Sequence, residues 1–314
     1  MVYVGQHAIR NIIPSLLSSP NYNIVGIYFR NLNKEKRKNF KMFKLYTDYS
    51  EVLQDRDLDC IYISSPNSSH FELSLKALKN NKHVICEKPL ATNFRDISKL
   101  LKQAINVKKF IFEAFMFQYH DQFIQLQSLL KKKKKIGKIY SLRTRFGYPH
   151  LNKKNIRYKK NLGGGSFFDC ACYLIKTTHI LLGDNIKKID GKIPFERKFE
   201  VDTGGSCLIN FKNGQSAFLD WGIGRAYVNE LDLWTEKYKI RAERIFSKSK
   251  DIKTKINIIK SNGIQRNINI KNMNHFEAMF KKFYQIINKN ELTKHLKQIE
   301  NYQKFYFTVF KSLN

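Results

Sequence analysis

The chain has 314 residues and sets 57 Lys+Arg against 26 Asp+Glu, a formal net charge of +31 at pH 7. That length predicts two domains or one large one, and a hydrophobic share of 42% spread along the chain supplies a full core and excludes global disorder. No apolar run approaches the roughly 18 residues of a membrane span, and Met1-Val2-Tyr3-Val4-Gly5 lacks the layout of a signal peptide, so the expected location is the cytoplasm, with no membrane partner.

Over the first hundred residues, short β-branched or aromatic runs alternate with amphipathic stretches, the pattern of a parallel sheet built from βαβ units. Val2-Tyr3-Val4 reads as a short first strand before a helical stretch through Leu17. Asn23 to Tyr28 is a second strand, residues 33–42 a helix, and Leu45-Tyr46 a short extended piece. Asp59 to Ser64 is a nearly continuous apolar strand that ends at the turn Ser65-Pro66-Asn67. Phe71 to Asn80 is helical, His83 to Cys86 a strand, Asp96 to Val107 a helix and Phe110 to Phe112 a strand. A doubly wound sheet of this kind binds its ligand beyond the carboxyl ends of its strands.

From about Gln118 the pattern changes. Gln122 to Leu130 is helical, and the dense run Lys131 to Lys135 reads as a solvated helix end that suits the macrodipole. Ile139 to Phe146 is a strand, a polar loop runs to Leu162, and a glycine run leads into a helix from Phe167 to Leu182. Alternating stretches at Ser206–Phe211, Ser216–Trp221, Asn229–Trp234, Lys239–Phe246 and Lys255–Lys260, separated by turns such as Lys212-Asn213-Gly214, make a largely antiparallel sheet. Helices over Asn274–Ile287 and Lys294–Leu313 close the chain. The expected fold class is α/β: an N-terminal Rossmann-type doubly wound parallel sheet over residues 1–118, its first strand shortened, and a C-terminal α+β domain over residues 119–314.

Five cysteines, an odd number with no CxxC spacing, give neither a disulfide nor a zinc framework. His7, His83, His150, His179, His275 and His295 are scattered without metal-ligand spacing and read as structural or solvated, so no metal is expected. The Lys excess lies among equally heavy Asn, Ile, Phe and Tyr, as codon bias would leave it on solvated faces. A nucleic-acid binder using that charge would carry a motif; none is present, and no specific nucleic-acid partner is expected.

If the first sheet binds a dinucleotide, the turn after its first strand cradles the pyrophosphate with backbone N–H groups at a helix start. Tyr3-Val4-Gly5-Gln6-His7-Ala8 keeps two small positions of GxGxxA, at Gly5 and Ala8, but puts Tyr3 at the first, where a Cβ crowds the tight turn. An incidental Gly in a turn would read the same way. Two consequences stay open: a reading frame that begins upstream, or weak dinucleotide binding. After the second strand, Phe29-Arg30-Asn31 offers no acid to a ribose 2′-OH, whereas Arg30, with Lys34 and Lys36 nearby, suits a 2′-phosphate. This favours NADP(H) over NAD(H); a merely solvated Arg30 is the alternative. Cys86-Glu87-Lys88-Pro89-Leu90-Ala91-Thr92, directly after a buried strand, aims Lys88 into the crevice where a nicotinamide would sit.

Together with Ser65-Pro66-Asn67-Ser68-Ser69-His70 at the neighbouring strand end, these residues resemble the Gfo/Idh/MocA oxidoreductase family, whose E-K-P signature and upstream P-N-x-x-H segment match in order and spacing. Glu113-Ala114-Phe115-Met116-Phe117-Gln118-Tyr119-His120 is similar to the family's E-A-x-M-x-R-x-H junction, with Gln118 in place of Arg and Asp121 in place of the following Pro. The segment from Gly163 through Asp169 to Tyr173 resembles GGGxLxDxGxY, with Tyr173 where many relatives have His. Tyr at that place is typical of the branch containing glucose-fructose oxidoreductase, dihydrodiol dehydrogenase and nucleotide-sugar 3-ketoreductases. Val201–Ser206, Tyr227–Trp234 and Arg241–Phe246 look most like the last of these.

The resemblance implies an NAD(P)-dependent oxidoreductase acting on CH–OH groups, here a reductase of a sugar carbonyl, with a nucleotide-linked substrate. It places the cofactor on Gly5, Ala8, Arg30, Ser65, Pro66, Asn67, His70, Glu87, Lys88 and Pro89. It makes Tyr173 the acid, with Lys88 hydrogen-bonding the same oxygen, and Asp169, four residues before Tyr173, an orienting group for the sugar or Lys88. Without the resemblance, Tyr173 in an apolar helix reads as core. An anionic handle on the substrate would fall to Arg157, Arg225 and Arg241, with Arg157 best placed just before the glycine run; it reads equally as a surface Arg. A homo-oligomer, dimer or tetramer, through the C-terminal sheet is also implied. The alternatives are a same-family dehydrogenase of a free sugar, polyol or dihydrodiol, and a degenerate paralogue that binds without turnover.

Overall fold

A computed structural model describes residues 1, 5–194 and 198–314, so the expected first strand Val2-Tyr3-Val4 lies outside the described residues. The chain divides into two units: residues Met1–Phe115 with Phe276–Glu300, and residues Met116–His275 with Asn301–Asn314.

In the first unit a π-turn over Ala8–Ile12 runs into α1 (Ile13–Leu17) and is followed by β1 (Gly26–Tyr28), α2 (Lys34–Asn39), β2 (Lys44–Tyr46) and α3 (Tyr49–Gln54). β3 (Cys60–Ile63), α4 (Asn67–Lys79), β4 (His83–Cys86), α5 (Phe94–Asn106) and β5 (Ile111–Glu113) then alternate as the periodicity predicts. The strands are parallel and hydrogen-bond as two ladders, β1-β2 and β3-β4-β5. α5 starts where Asn93 Oδ1 accepts the Asp96 N–H at 2.9 Å, and it buries Ile97, Leu100 and Ala104, one stripe of a 3.6-residue repeat. Strands buried on both faces, such as Ile61-Tyr62-Ile63 and Val84-Ile85-Cys86, carry no polar alternation. The β1-β2 ladder has its own cluster, in which Ile13, Ile27 and Phe29 pack with Ile24, Phe40 and Leu45. Phe112 of β5 stacks on Phe283, 4.1 Å between centroids. β1 is shorter than the expected strand, since pairing begins at Gly26 rather than Asn23.

The second unit contains α6 (Asp121–Lys131), α7 (Lys133–Ile136), β6 (Ile139–Tyr148), a π-turn over Phe167–Ala171, α8 (Cys172–Leu182), β7 (Ile186–Lys192), β8 (Gly204–Phe211), β9 (Ser216–Ile223), β10 (Val228–Thr235), β11 (Tyr238–Glu243), β12 (Thr254–Lys260) and β13 (Gln265–Ile270). α9 (His275–Asn288) and α10 (Leu292–Leu313) end the chain. The sheet runs β13-β12-β11-β10-β6-β9-β8-β7, antiparallel except where β6 meets β9. Its inner face, with Leu142, Phe146, Trp221, Leu231, Leu233 and Ile240, is buried. Phe167 packs there against Trp221 and Tyr306, at 5.8 and 5.2 Å between centroids. β11 stops at Glu243, short of the expected Phe246, because Arg244 turns out of the ladder with φ 54°. Among the described residues no helix is long and apolar enough to cross a membrane.

Candidate active site

In the first unit the carboxyl ends of three parallel strands stand level, because Ile63 pairs with Cys86 and Cys86 with Glu113. Two buried side chains tie the loops that leave this edge. His70, on the first turn of α4, is fully buried, with Nε2 2.9 Å from the Ser65 carbonyl and Nδ1 2.7 Å from the Pro89 carbonyl. Burial lowers its pKa against the opposing pull of the two carbonyls. Glu113 Oε1 accepts the Leu90 N–H at 2.9 Å. The P-N-x-x-H and E-K-P segments are therefore one structure, with Lys88 half-buried between two anchored neighbours and Pro89 buried beside it. Ser65 is buried, Pro66 caps α4 and Asn67 is its first residue.

Glu87 receives the Tyr62 hydroxyl and lies 3.2 Å from His7 Nε2. Burial pushes the Glu87 carboxyl up, but His7, the Tyr62 hydroxyl and Lys88 outweigh it and hold the group below its ordinary value, as an anion. His7, expected to be structural or solvated, thus belongs to this cluster, and its Nδ1 is 3.1 Å from Asn11 Nδ2. Gly5 stands at the start of the helical segment, where a Cβ would meet nothing within 4 Å, while Ala8 is fully buried. A bare glycine over open space at a helix start fits a pyrophosphate. Arg30 is exposed just past β1, next to Asn31, whose carbonyl accepts from Lys36 Nζ at 2.5 Å. Tyr3, the departure from the glycine motif, lies outside the described residues. Among the described residues no group of three or more His, Cys, Asp or Glu could hold a metal.

In the second unit the glycine run is required by a close backbone approach. Gly165 donates its N–H to the Arg157 carbonyl at 2.9 Å with φ +112°, and a Cβ on Gly164 would sit 2.5 Å from that same oxygen. The Asp202 carboxylate then accepts from the Ser166 hydroxyl and the Phe167 N–H, fixing the start of the π-turn. On that turn Asp169 receives Arg157 Nε at 2.8 Å and the Tyr148 hydroxyl. Burial and Asp169 push the Tyr148 hydroxyl well above its ordinary range, so it stays a donor. Arg157 is therefore an ion-pair partner of a site carboxylate and not a lone surface cation.

Tyr173 has different surroundings. It is buried against Phe117, Phe146 and Phe246, at 5.8, 5.4 and 6.0 Å between centroids, and its hydroxyl is 3.9 Å from Met116 Sδ. The four-residue spacing from Asp169 begins inside the π-turn, where a plain α-helical face does not apply. Arg241 is committed to Glu230 and Glu243 on the outer sheet face, at 2.8 and 2.9 Å. Arg225 lies over Gly204 and Gly222. The sequence pointed to neither Tyr62 nor Tyr148: each is a strand residue outside any motif, and only the strand pairing reveals its carboxylate partner.

Residues 2–115 match the family model GFO_IDH_MocA, an oxidoreductase family with an NAD-binding Rossmann fold, and residues 123–241 match the GFO/IDH/MocA C-terminal domain. The chain is 28% identical over 239 residues to a dTDP-3,4-didehydro-2,6-dideoxy-alpha-D-glucose 3-reductase of Actinomadura kijaniata, covering 76% of this chain and 72% of that protein. It is 30% identical over 219 residues to a trans-1,2-dihydrobenzene-1,2-diol dehydrogenase of Xenopus tropicalis, covering 69% and 66%. Its fold is similar to the crystal structure of KijD10, a 3-ketoreductase from Actinomadura kijaniata in complex with NADP and TDP-benzene, with a TM-score of 0.92 at 24% identity over 100% of this chain and 96% of that one.

Proposed function

The chain belongs to the Gfo/Idh/MocA family of NAD(P)-binding oxidoreductases, and from that premise we propose that it is an NADP(H)-preferring enzyme interconverting a sugar carbonyl and its hydroxyl, in the manner of a nucleotide-linked keto-sugar 3-reductase. The observation that carries the reading is the E-K-P loop, held at the strand ends by His70 and Glu113 in the same unit as a bare-glycine helix start. When bound, the nicotinamide group supplies or accepts a hydride. Lys88 hydrogen-bonds the substrate oxygen, Tyr173 donates its proton, and Asp169, braced by Arg157 and Tyr148, orients the sugar. Arg157, 39% exposed while its Nε is held, offers the rest of its guanidinium to an anionic handle such as a diphosphate. Arg30 pairs with the 2′-phosphate.

The test is a fluorescence titration with NADPH and NADH, followed by turnover on a dTDP-linked keto-sugar and on the free sugar. Tighter NADPH binding and faster turnover of the linked sugar are expected. Equal rates on both sugars overturn the anionic handle. Oxidation of a dihydrodiol in preference to either sugar supports a second reading, favoured by the 30% identical relative. Cofactor binding without turnover leaves a degenerate paralogue.

The outer face of the eight-stranded sheet sets Arg241, Asp232 and Arg143 side by side on β11, β10 and β6, with Trp234 66% exposed. Alternating charges around an apolar group are self-complementary under a two-fold rotation. We propose that a second copy covers this face. Trp234→Glu is then expected to shift sedimentation toward the monomer, and an already monomeric native chain overturns the idea.

A further inference from the structure

His7 joins the two segments of the first unit that the reading above gives to the cofactor. It lies two residues after Gly5, and its imidazole crosses to the E-K-P loop, with Nε2 3.2 Å from Glu87 Oε1. Asn11, four residues on, sets its Nδ2 3.1 Å from the other ring nitrogen. An amide nitrogen only donates, so Nδ1 accepts from Asn11 and the neutral ring carries its hydrogen on Nε2, toward Glu87. The Tyr62 hydroxyl donates to the same carboxylate oxygen. A chain of hydrogen bonds thus runs from Asn11 through His7 to Glu87, one residue before Lys88.

The ring is also open to a proton. The His7 side chain is 45% exposed against 16% for Glu87, so solvent reaches the imidazole far more freely than its anionic partner. Glu87 faces it from the loop after β4, with Lys88 behind, and Tyr62 of β3 is a neutral donor. From α9, Phe276 meets the ring edge-on at 5.4 Å between centroids and brings no charge, while Glu277 beside it accepts the Ser18 hydroxyl at 3.0 Å. Protonation of His7 turns its bond to Glu87 into an ion pair and cancels the carboxylate charge.

We propose that His7 is a positioning residue for the dinucleotide, and that it takes up a proton as the cofactor binds. The inference rests on the reading above that a pyrophosphate lies over Gly5. With His7 neutral, that pyrophosphate arrives near an uncancelled Glu87 carboxylate; with His7 protonated, it arrives near a pair of no net charge. An incoming anion therefore favours the imidazolium, in a side chain that titrates between pH 5 and 8. Linkage fixes the sign for affinity. The complex holds more proton than the free chain, so affinity is highest at the acid end of this range and falls as pH rises through it. The same bond ties the Gly5 segment to the loop that carries Lys88, so its loss weakens binding at every pH.

The experiment is a fluorescence titration with NADPH at pH 6 and pH 8 for the native chain, His7→Gln and His7→Leu. The 2′-phosphate and every other titrating group are common to the three, so the differences between them isolate His7. The gain in affinity from pH 8 to pH 6 is expected to be about threefold or more greater in the native chain than in His7→Gln. Gln reaches Glu87 with an amide N–H and no ionisable nitrogen, so at pH 8 His7→Gln is expected to bind about tenfold more tightly than His7→Leu. Calorimetry at pH 7 in two buffers of different ionisation enthalpy is expected to show more proton uptake by the native chain than by His7→Gln. Equal pH slopes and equal proton uptake in these two proteins overturn the proposal and leave the dinucleotide reading standing, a comparison that holds even if His7→Leu fails to fold. If the native chain binds neither NADPH nor NADH at either pH, the dinucleotide reading itself falls and takes the proposal with it.

Discussion

Lowering the pH should destabilise this protein well above the range in which carboxylates titrate, and His120 is the residue to follow. It is 3% exposed, and its Nδ1 accepts the Gln122 N–H at 3.1 Å, a bond that requires an unprotonated nitrogen. Burial, with Lys248 adding a like charge, lowers its pKa from 6.5 to about 3. The unfolded chain therefore binds a proton at this site from pH 6.5 downward while the folded chain does not, so stability falls as pH falls through that window. Near pH 5 the gap between unfolded and folded pKa values costs about 2 kcal/mol relative to pH 8. His83, whose Nδ1 accepts the Phe110 N–H at 3.0 Å, is lowered to about 4 mainly by burial and acts in the same direction in the other unit. The assay is urea unfolding at pH 8 and pH 5, for the native chain and for His120→Asn, whose Oδ1 keeps an acceptor for Gln122. The native chain is expected to lose about 2 kcal/mol more than the variant between the two conditions. An equal loss in both would refute the assignment of the acid sensitivity to His120.

Lys88→Met and Tyr173→Phe are each expected to lower kcat by about a hundredfold or more with the fold intact by circular dichroism; a near-native rate in Tyr173→Phe returns that residue to the aromatic core that surrounds it. Arg30→Asp should reverse a preference for NADPH over NADH in fluorescence titrations, and an unchanged ratio removes Arg30 from the cofactor site. Gly164→Ala should cost at least about 2 kcal/mol in thermal or urea unfolding, since the new Cβ would meet the Arg157 carbonyl at 2.5 Å, backbone that cannot swing aside. A variant as stable as the native chain would show that the loop over residues 156–165 yields freely.

The fold class was legible because buried parallel strands such as Ile61-Tyr62-Ile63 read as unbroken apolar runs, and the inner sheet face of Leu231 and Leu233 alternates with polar residues. β7 and β13 were not legible. Both are edge strands, Ile-Lys-Lys-Ile-Asp-Gly-Lys and Gln-Arg-Asn-Ile-Asn-Ile, which place charged and amide side chains on both faces and so carry no burial period. α3 was missed because six residues behind the Asp48 cap hold less than two helical turns of pattern. The return of Phe276–Glu300 to the first unit is a long-range packing outcome that no local period encodes. In the first unit, the spacing of Pro66, Asn67, His70, Lys88 and Pro89 marks the two segments that the strand ends bring together. That His70 joins them by bonding two carbonyls is a consequence of strand pairing alone.

Two carboxylates, one in each unit, rest on the same local device, although the folds around them have nothing in common. Glu87 is held by the Tyr62 hydroxyl and His7, and Asp169 by the Tyr148 hydroxyl and Arg157. A half-buried carboxylate with one partner can pivot about its χ angles; with a phenol on one side and a nitrogen donor on the other it is pinned. Pinning matters where binding free energy is to be used for orientation, because a group already fixed loses little entropy when the ligand arrives. The phenols come from strands, Tyr62 from β3 and Tyr148 from β6, whose backbones are fixed by ladder bonds, whereas both carboxylates sit just beyond regular elements or on a π-turn, where backbone geometry is softer. Each soft position is thus braced from a stiff one. That explains why the acidic residues are visible in the motifs and their braces are not: a motif records the loop that meets the ligand, while the brace need only arrive from the next strand at the right height.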